Sequence, residues 1–246
     1  MSGHNKWSTI KRKKGAIDAK RSKIFSRIIK EITISVRESG TDPDNNPRLR
    51  LALNNAKGAN MPKDNIQRAL SKADKDNTSL VEITYEGYAP NGIAIFIECL
   101  TDNTQRSVSN IRSLFSKRGG SLGTNGSVGF MFDRKGVITI PKGNLNLDDF
   151  ELEIIDSGAE EIDIQDDIIL ITTALEDFGP VQKKLDQMGI EAENASLQRI
   201  PQETKSLEVS QGLRVLRLVD EFEDDEDIQN VYHNMEVTDE MMDALD

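Results

Sequence analysis

Residues 136–199 contain GVITI (136–140), DDFELEIID (148–156), EEIDI (160–164), IILIT (168–172), DFGPVQKKLDQ (177–187) and ENASLQR (193–199), with short connecting segments between them. Val137–Ile140 reads as a strand, Asp148–Asp156 as a helix, Glu160–Ile164 and Ile168–Thr172 as a strand pair, Asp177–Gln187 as a helix and Glu193–Arg199 as a strand. The order is βαββαβ. This is the split βαβ of a ferredoxin-like sandwich, with both helices on one face of an antiparallel sheet.

Working outward, Pro201 closes this unit. The helix marked by Leu207, Leu213, Leu216 and Val219 and the strand Ile228–His233 then have no partners of their own. Partners lie upstream. Val81–Tyr88 and Ile93–Leu100 are β-rich runs joined by Ala-Pro-Asn-Gly at 89–92, a hairpin turn. Asn103–Lys117 reads as a helix stopped by Gly119-Gly120, followed by a strand at Val128–Phe132. The βαββαβ unit is therefore expected as an insertion. Further upstream, Asp74–Ser79 reads as a linker. Before it Ile24, Phe25, Ile28, Ile29, Ile32 and Val36 line one face of a helix ending near Gly40. Asn46-Pro47 opens a second helix running to Gly58, and Pro62 starts a third. The expected fold class is α+β: a three-helix domain at 1–78, a discontinuous α/β domain at 79–134 plus 202–246, and the inserted ferredoxin-like domain at 135–201.

The 246 residues carry a net charge of −11, but residues 1–80 hold eighteen Lys and Arg against eight Asp and Glu, and residues 81–246 hold thirteen against thirty-four. Such asymmetry points to a polyanion at one end. Cys99 is the single cysteine, and His4 and His233 are the two histidines. A disulfide framework and cysteine- or histidine-rich metal sites are thereby excluded. No apolar run approaches the ~20 residues of a membrane span, so a cytoplasmic protein without a membrane partner is expected. Paired carboxylates such as Glu160-Glu161 lack a histidine or cysteine partner, and the Gly119–Gly129 loop lacks the Lys-Ser/Thr of a P-loop. No catalytic residue, metal site or cofactor is expected.

The first thirty residues carry ten cations, among them Lys6, Lys11, Arg12, Lys13, Lys14, Lys20, Arg21, Lys23 and Arg27, and a single acid, Asp18. Clustered cations gain affinity for phosphates through counterion release. Trp7, beside His4 and Lys6, either stacks on an unpaired base or folds back as an anchor on the helices. A basic arm with an aromatic tip suits structured RNA better than a palindromic operator, whereas reading of duplex DNA would call for a recognition helix. Asn103 and Arg106, where a strand end meets a helix, are either an ordinary N-cap segment or a further contact to the ligand.

Several motifs resemble the YebC family: Ser2–Trp7, DAKRSKIF at 18–25, NMPKDNIQRA at 60–69, Tyr85–Tyr88, Thr101–Asn103, Arg106, Gly119-Gly120, Gly126–Val128 and DIQNVY at 227–232. The match spans nearly the whole chain, with Asn5 departing from the usual Ser. The resemblance implies a helical domain and two α/β domains in a non-enzymatic regulator of gene expression. It brings two accounts, a translational activator on the ribosome and a DNA-binding regulator at promoters. Joined to the arm chemistry, it makes ribosomal RNA the expected partner and promoter DNA the alternative. Oligomeric state is not legible.

Overall fold

The structure, a computed structural model, describes residues 17–73 and 80–244, with side chains described from residue 21. Two compact units are present, one formed by residues 17–73 and 134–198, the other by 80–133 and 199–244.

The first unit opens with helices α1 (Ile17–Ser39), α2 (Pro47–Gly58) and α3 (Lys63–Ala73). Ile32 and Val36 pack with Leu49, Ala52, Ala69 and Ala73 in a shared apolar core. Asn46 ties two helix ends together. Its Oδ1 accepts from Leu49 N (3.0 Å), capping α2, while its Nδ2 donates to Ser35 O (2.6 Å) and Gly40 O (2.8 Å) at the end of α1. The turn out of α2 is a Schellman motif in which Asn60 takes the left-handed conformation (φ 56°), Met61 N donates to Ala56 O and Asn60 N to Lys57 O.

Gly58 therefore ends the helix without being the left-handed residue. Its requirement is steric: a Cβ there would lie 2.0 Å from Glu193 O. Nearby, Asn55 exchanges two hydrogen bonds with the backbone of Ala195, Nδ2 to O and Oδ1 from N, each 2.8 Å. α2 is thus fastened to the backbone at Ala195 within the same unit. Gly58→Ala is expected to cost about 1–3 kcal/mol in chemical denaturation through this overlap, whereas Gly40→Ala, where nothing lies within 4 Å, pays only for its positive φ.

The same unit contains most of the βαββαβ segment, which runs β4 (Phe132–Pro141), α5 (Leu147–Asp156), β5 (Ala159–Ile164), β6 (Ile168–Thr173), α6 (Phe178–Gln187) and β7 (Asn194–Pro201). The strand order β5-β6-β4-β7 is that of a ferredoxin-like sheet. Antiparallel register sets Ile138 opposite Ile171 and Ile140 opposite Ile169. With Phe150, Ile154, Val181 and Leu185 from the helices, these close the core.

In the second unit, β1 (Val81–Ala89) and β2 (Ile93–Thr101) form the expected hairpin, with Asn91 (φ 63°) and Gly92 (φ 69°) in its turn. α4 (Thr104–Lys117), the edge strand β3 (Ser121–Leu122), α7 (Val209–Asp224), β8 (Ile228–His233) and α8 (Asp239–Asp243) complete it. Strand order is β3-β1-β2-β8. One sheet face packs on α4 and α7, where the Phe115 and Phe222 rings meet edge-on at 4.8 Å. The opposite face carries Phe96, Val128, Phe132 and Tyr232.

The chain is thus α+β, with amino-terminal helices and two antiparallel sheets. One expected element is absent. Val128–Phe132 is not a strand: Gly129–Met131 is a 3-10 turn and β4 starts at Phe132. The backbone N–H groups of Val128 and Gly129 are taken by a carboxylate, not by a neighbouring strand. β3 and α8, by contrast, were not anticipated. Among the described residues no helix is long and apolar enough to cross a membrane.

Candidate nucleic-acid interface

His4, Lys6, Trp7, Lys11, Arg12, Lys13 and Lys14 lie outside the described residues, as does the side chain of Lys20 and the linker expected at 74–79. Arg21, Lys23 and Arg27 stand on the first turns of α1. Arg21 is partly committed: its Nη2 donates to Asn60 O (3.2 Å) and its guanidinium sits 5.4 Å from the Phe25 ring centroid. Lys23, Arg27 and Lys30 recur at four and three, which places them on one helix face.

The adjoining helices add a second basic surface. Arg50, Leu53, Asn54 and Lys57 of α2 recur at three, four and seven, and so do Lys63, Ile66, Gln67 and Leu70 of α3. Together with Pro43 and Asp44 they line a groove of about 450 Å³. Leu53, Ile66 and Leu70 supply aliphatic surface, Asn54 and Gln67 supply amides, and Arg50, Lys57 and Lys63 are exposed cations. On α2 these positions are offset by one residue from the buried Leu49, Ala52 and Ala56.

Asn103 and Arg106 have places in the second unit. Asn103 is the N-cap of α4, its Oδ1 accepting from Arg106 N at 3.0 Å. The Arg106 guanidinium forks onto Asp227, Nε to Oδ2 at 3.0 Å and Nη2 to Oδ1 at 2.7 Å, and Nη2 also reaches Asp102 Oδ1 at 2.8 Å. Asp227 is nearly sealed, with 4% of its side chain exposed. Burial pushes its carboxyl up, but hydrogen bonds from Arg106 and Ser107 and the charge of Arg106 outweigh this and hold it below its usual range. This geometry welds the start of α4 to the start of β8.

Sequence reading passed over Glu86. Its buried carboxylate accepts three backbone N–H groups, from Gly126 on Oε1 (2.8 Å) and from Val128 and Gly129 on Oε2 (2.7 Å each). Burial again acts upward, and the three N–H groups with the field of Arg199 bring the pKa below its usual value. The result is a moulded loop at 119–131 whose Phe130 is 71% exposed. The hydrophilic Tyr85–Tyr88 motif held the signal, in a glutamate placed mid-strand between tyrosines. Among the described residues no group of three or more His, Cys, Asp or Glu side chains is disposed to hold a metal ion.

Comparison with known sequences bears on both ends of the chain. A family profile described as the TACO1/YebC protein N-terminal domain matches residues 5–76, and one described as the TACO1/YebC second and third domain matches residues 80–235. A probable transcriptional regulatory protein of Chlorobaculum parvum is 47% identical over 249 aligned positions, covering 100% of this chain and 99% of its own. A protein of Geotalea uraniireducens bearing the same description is 47% identical over 247 positions, with 100% of both chains covered. The crystal structure of a conserved hypothetical protein from Aquifex aeolicus superposes with a TM-score of 0.84 at 35% identity, over 92% of this chain and 95% of that one.

Proposed function

This chain belongs to the TACO1/YebC family, and on that premise we propose that it is a non-enzymatic, nucleic-acid-binding regulator of gene expression that binds RNA on the ribosome in the cytoplasm and supports translation. The observation that carries this reading is the segregation of charge. Residues 17–73 hold twelve Lys and Arg against six Asp and Glu, and five further cations precede them, whereas the inserted segment 134–198 holds five against fifteen. A polyanion is attracted to one part of the molecule and repelled by the other.

In this reading the 1–78 segment binds, the discontinuous 79–134 plus 202–246 body carries the Glu86-moulded loop, and the inserted 135–201 segment faces away from phosphate. Lys11–Lys14, Lys20, Lys23 and Arg27 anchor on the backbone, Arg21 adds a charge already steadied by Asn60, and Trp7 with His4 and Lys6 meets an unpaired base. Asn103 and Arg106 contribute through the shape of the α4 start more than through reach.

Charge reversal at Lys11–Lys14 is expected to abolish co-sedimentation with ribosomes; unchanged sedimentation would remove the arm from the interface. The curated relatives, described as probable transcriptional regulators, favour a second reading in which the same surface binds promoter DNA. Crosslinking in cells with sequencing of both bound RNA and bound DNA separates the two. Reads on ribosomal RNA support translation; reads at promoters with ribosomal RNA at background overturn it.

A further inference from the structure

We infer that the groove between α2 and α3 is a pocket for one unpaired RNA nucleotide, separate from the basic arm. This rests on the nucleic-acid reading above and names where in the helical domain a base is read. Three observations carry it. The first is size and shape. A concave groove of about 450 Å³ lies within the range of small-ligand clefts and admits a nucleoside, whereas a duplex presents a convex phosphate surface with its bases stacked inside.

The second is the chemistry of the lining. Leu53 and Ile66 offer aliphatic surface for the face of a base, and the amides of Asn54 and Gln67 stand beside it with both donors and acceptors for an exposed base edge. The third is charge. Lys57 and Lys63 form no ion pair among the described residues, and Arg50 donates only to Pro43 O at 3.3 Å. Three cations against the single acid Asp44 give the lining a net positive charge complementary to phosphates. Arg50 and Lys57 start about 10.5 Å apart along α2, and their flexible stems can close onto the two phosphates that flank one nucleoside. The groove is also held in shape, with Asn46 fixing the start of α2 and Asn55 and the Asn60 turn fixing its end.

The test uses the full-length chain and a 12-nucleotide uridine-rich RNA carrying one 4-thiouridine, with a duplex of equal length as control. Irradiation followed by peptide mapping is expected to give crosslinks within residues 50–70 from the single strand and none there from the duplex. In fluorescence anisotropy, Arg50→Ala with Lys57→Ala and Lys63→Ala is expected to weaken single-strand binding roughly tenfold or more at low salt. Gln67→Ala, at an exposed position that leaves folding intact, is expected to alter discrimination between adenine- and uracil-containing strands while preserving the salt slope. Crosslinks confined to residues 1–40, or an unchanged affinity in the triple variant, would overturn the pocket while leaving RNA binding by the arm in place. Failure of the wild-type chain to bind either RNA would instead overturn the RNA reading itself, and the pocket with it.

Discussion

Arg106→Ala is expected to destabilise the protein more than any change at Asp227 itself, because it leaves the Asp227 carboxylate buried without its counter-charge. Half of the Arg106 side chain is exposed and only 4% of the Asp227 side chain is, so the two partners are not equivalent. Removing Asp227 frees a guanidinium that water can solvate. Asp227→Asn is therefore expected to cost less, about 1–3 kcal/mol, through the hydrogen bonds it weakens. The pH dependence distinguishes this from simple loss of packing. In the wild type the Asp227 carboxyl is held below its ordinary value of 3.8; the stability it contributes is present above that value and is lost as pH falls through the lowered one. In Arg106→Ala the carboxyl keeps its bond from Ser107 but loses its counter-charge, so acid relieves the burial penalty and the two denaturation profiles converge as pH falls. Urea titrations at pH 7, pH 4 and about pH 3 measure both. An Arg106→Ala protein of wild-type stability but reduced RNA affinity would instead make Arg106 a ligand contact.

The second large effect is expected at Glu86. Its two oxygens serve three backbone N–H groups, and hydrogen bonds to a charged acceptor contribute more than neutral ones. Glu86→Ala orphans all three donors, the buried Val128 N–H included, and is expected to cost about 3 kcal/mol or more. Glu86→Gln retains one acceptor oxygen and places an amide donor against an N–H, so it recovers only part of the loss. The sign of the pH effect follows from the lowered folded pKa: the contribution is complete above the ordinary 4.5 and disappears as pH falls through the folded value. Hydrogen exchange locates it. Faster exchange at Gly126, Val128 and Gly129, with the β1–β2 ladder unchanged, is the expected pattern; equal protection in variant and wild type would mean that the loop holds its shape by other means.

These two sites also show which parts of the molecule were legible in advance. The βαββαβ order was readable because each element is local: Ile168–Thr172 is an apolar run of strand length whatever surrounds it, and Asn91-Gly92 adopts its turn from its own backbone preferences. The Arg106–Asp227 pair spans 121 residues, and neither residue carries a neighbouring signal of the other. Glu86 illustrates the same point with a visible consequence. Val128–Phe132 has strand composition, yet a carboxylate forty-two residues upstream takes the N–H of Val128, so tertiary chemistry overrides local preference. Gly58 was read as a helix stop, and the close approach of Glu193 that requires it could not be seen along the chain. The basic arm was the clearest feature of the sequence. The groove between α2 and α3 was less visible because its cations are spread over two helices at positions 50, 57 and 63.

One feature of the first compact unit governs how the protein approaches any target. Its cationic helices and its acidic βαββαβ segment belong to a single body, so that body carries a permanent electric dipole as well as a net charge. In the field of a polyanion a dipole experiences a torque before any side chain makes contact, and this body is turned helices-first during its diffusive approach. The turning acts only within about one screening length, ~8 Å at physiological ionic strength. Encounters at low salt are consequently pre-aligned, and those at high salt begin from random orientations.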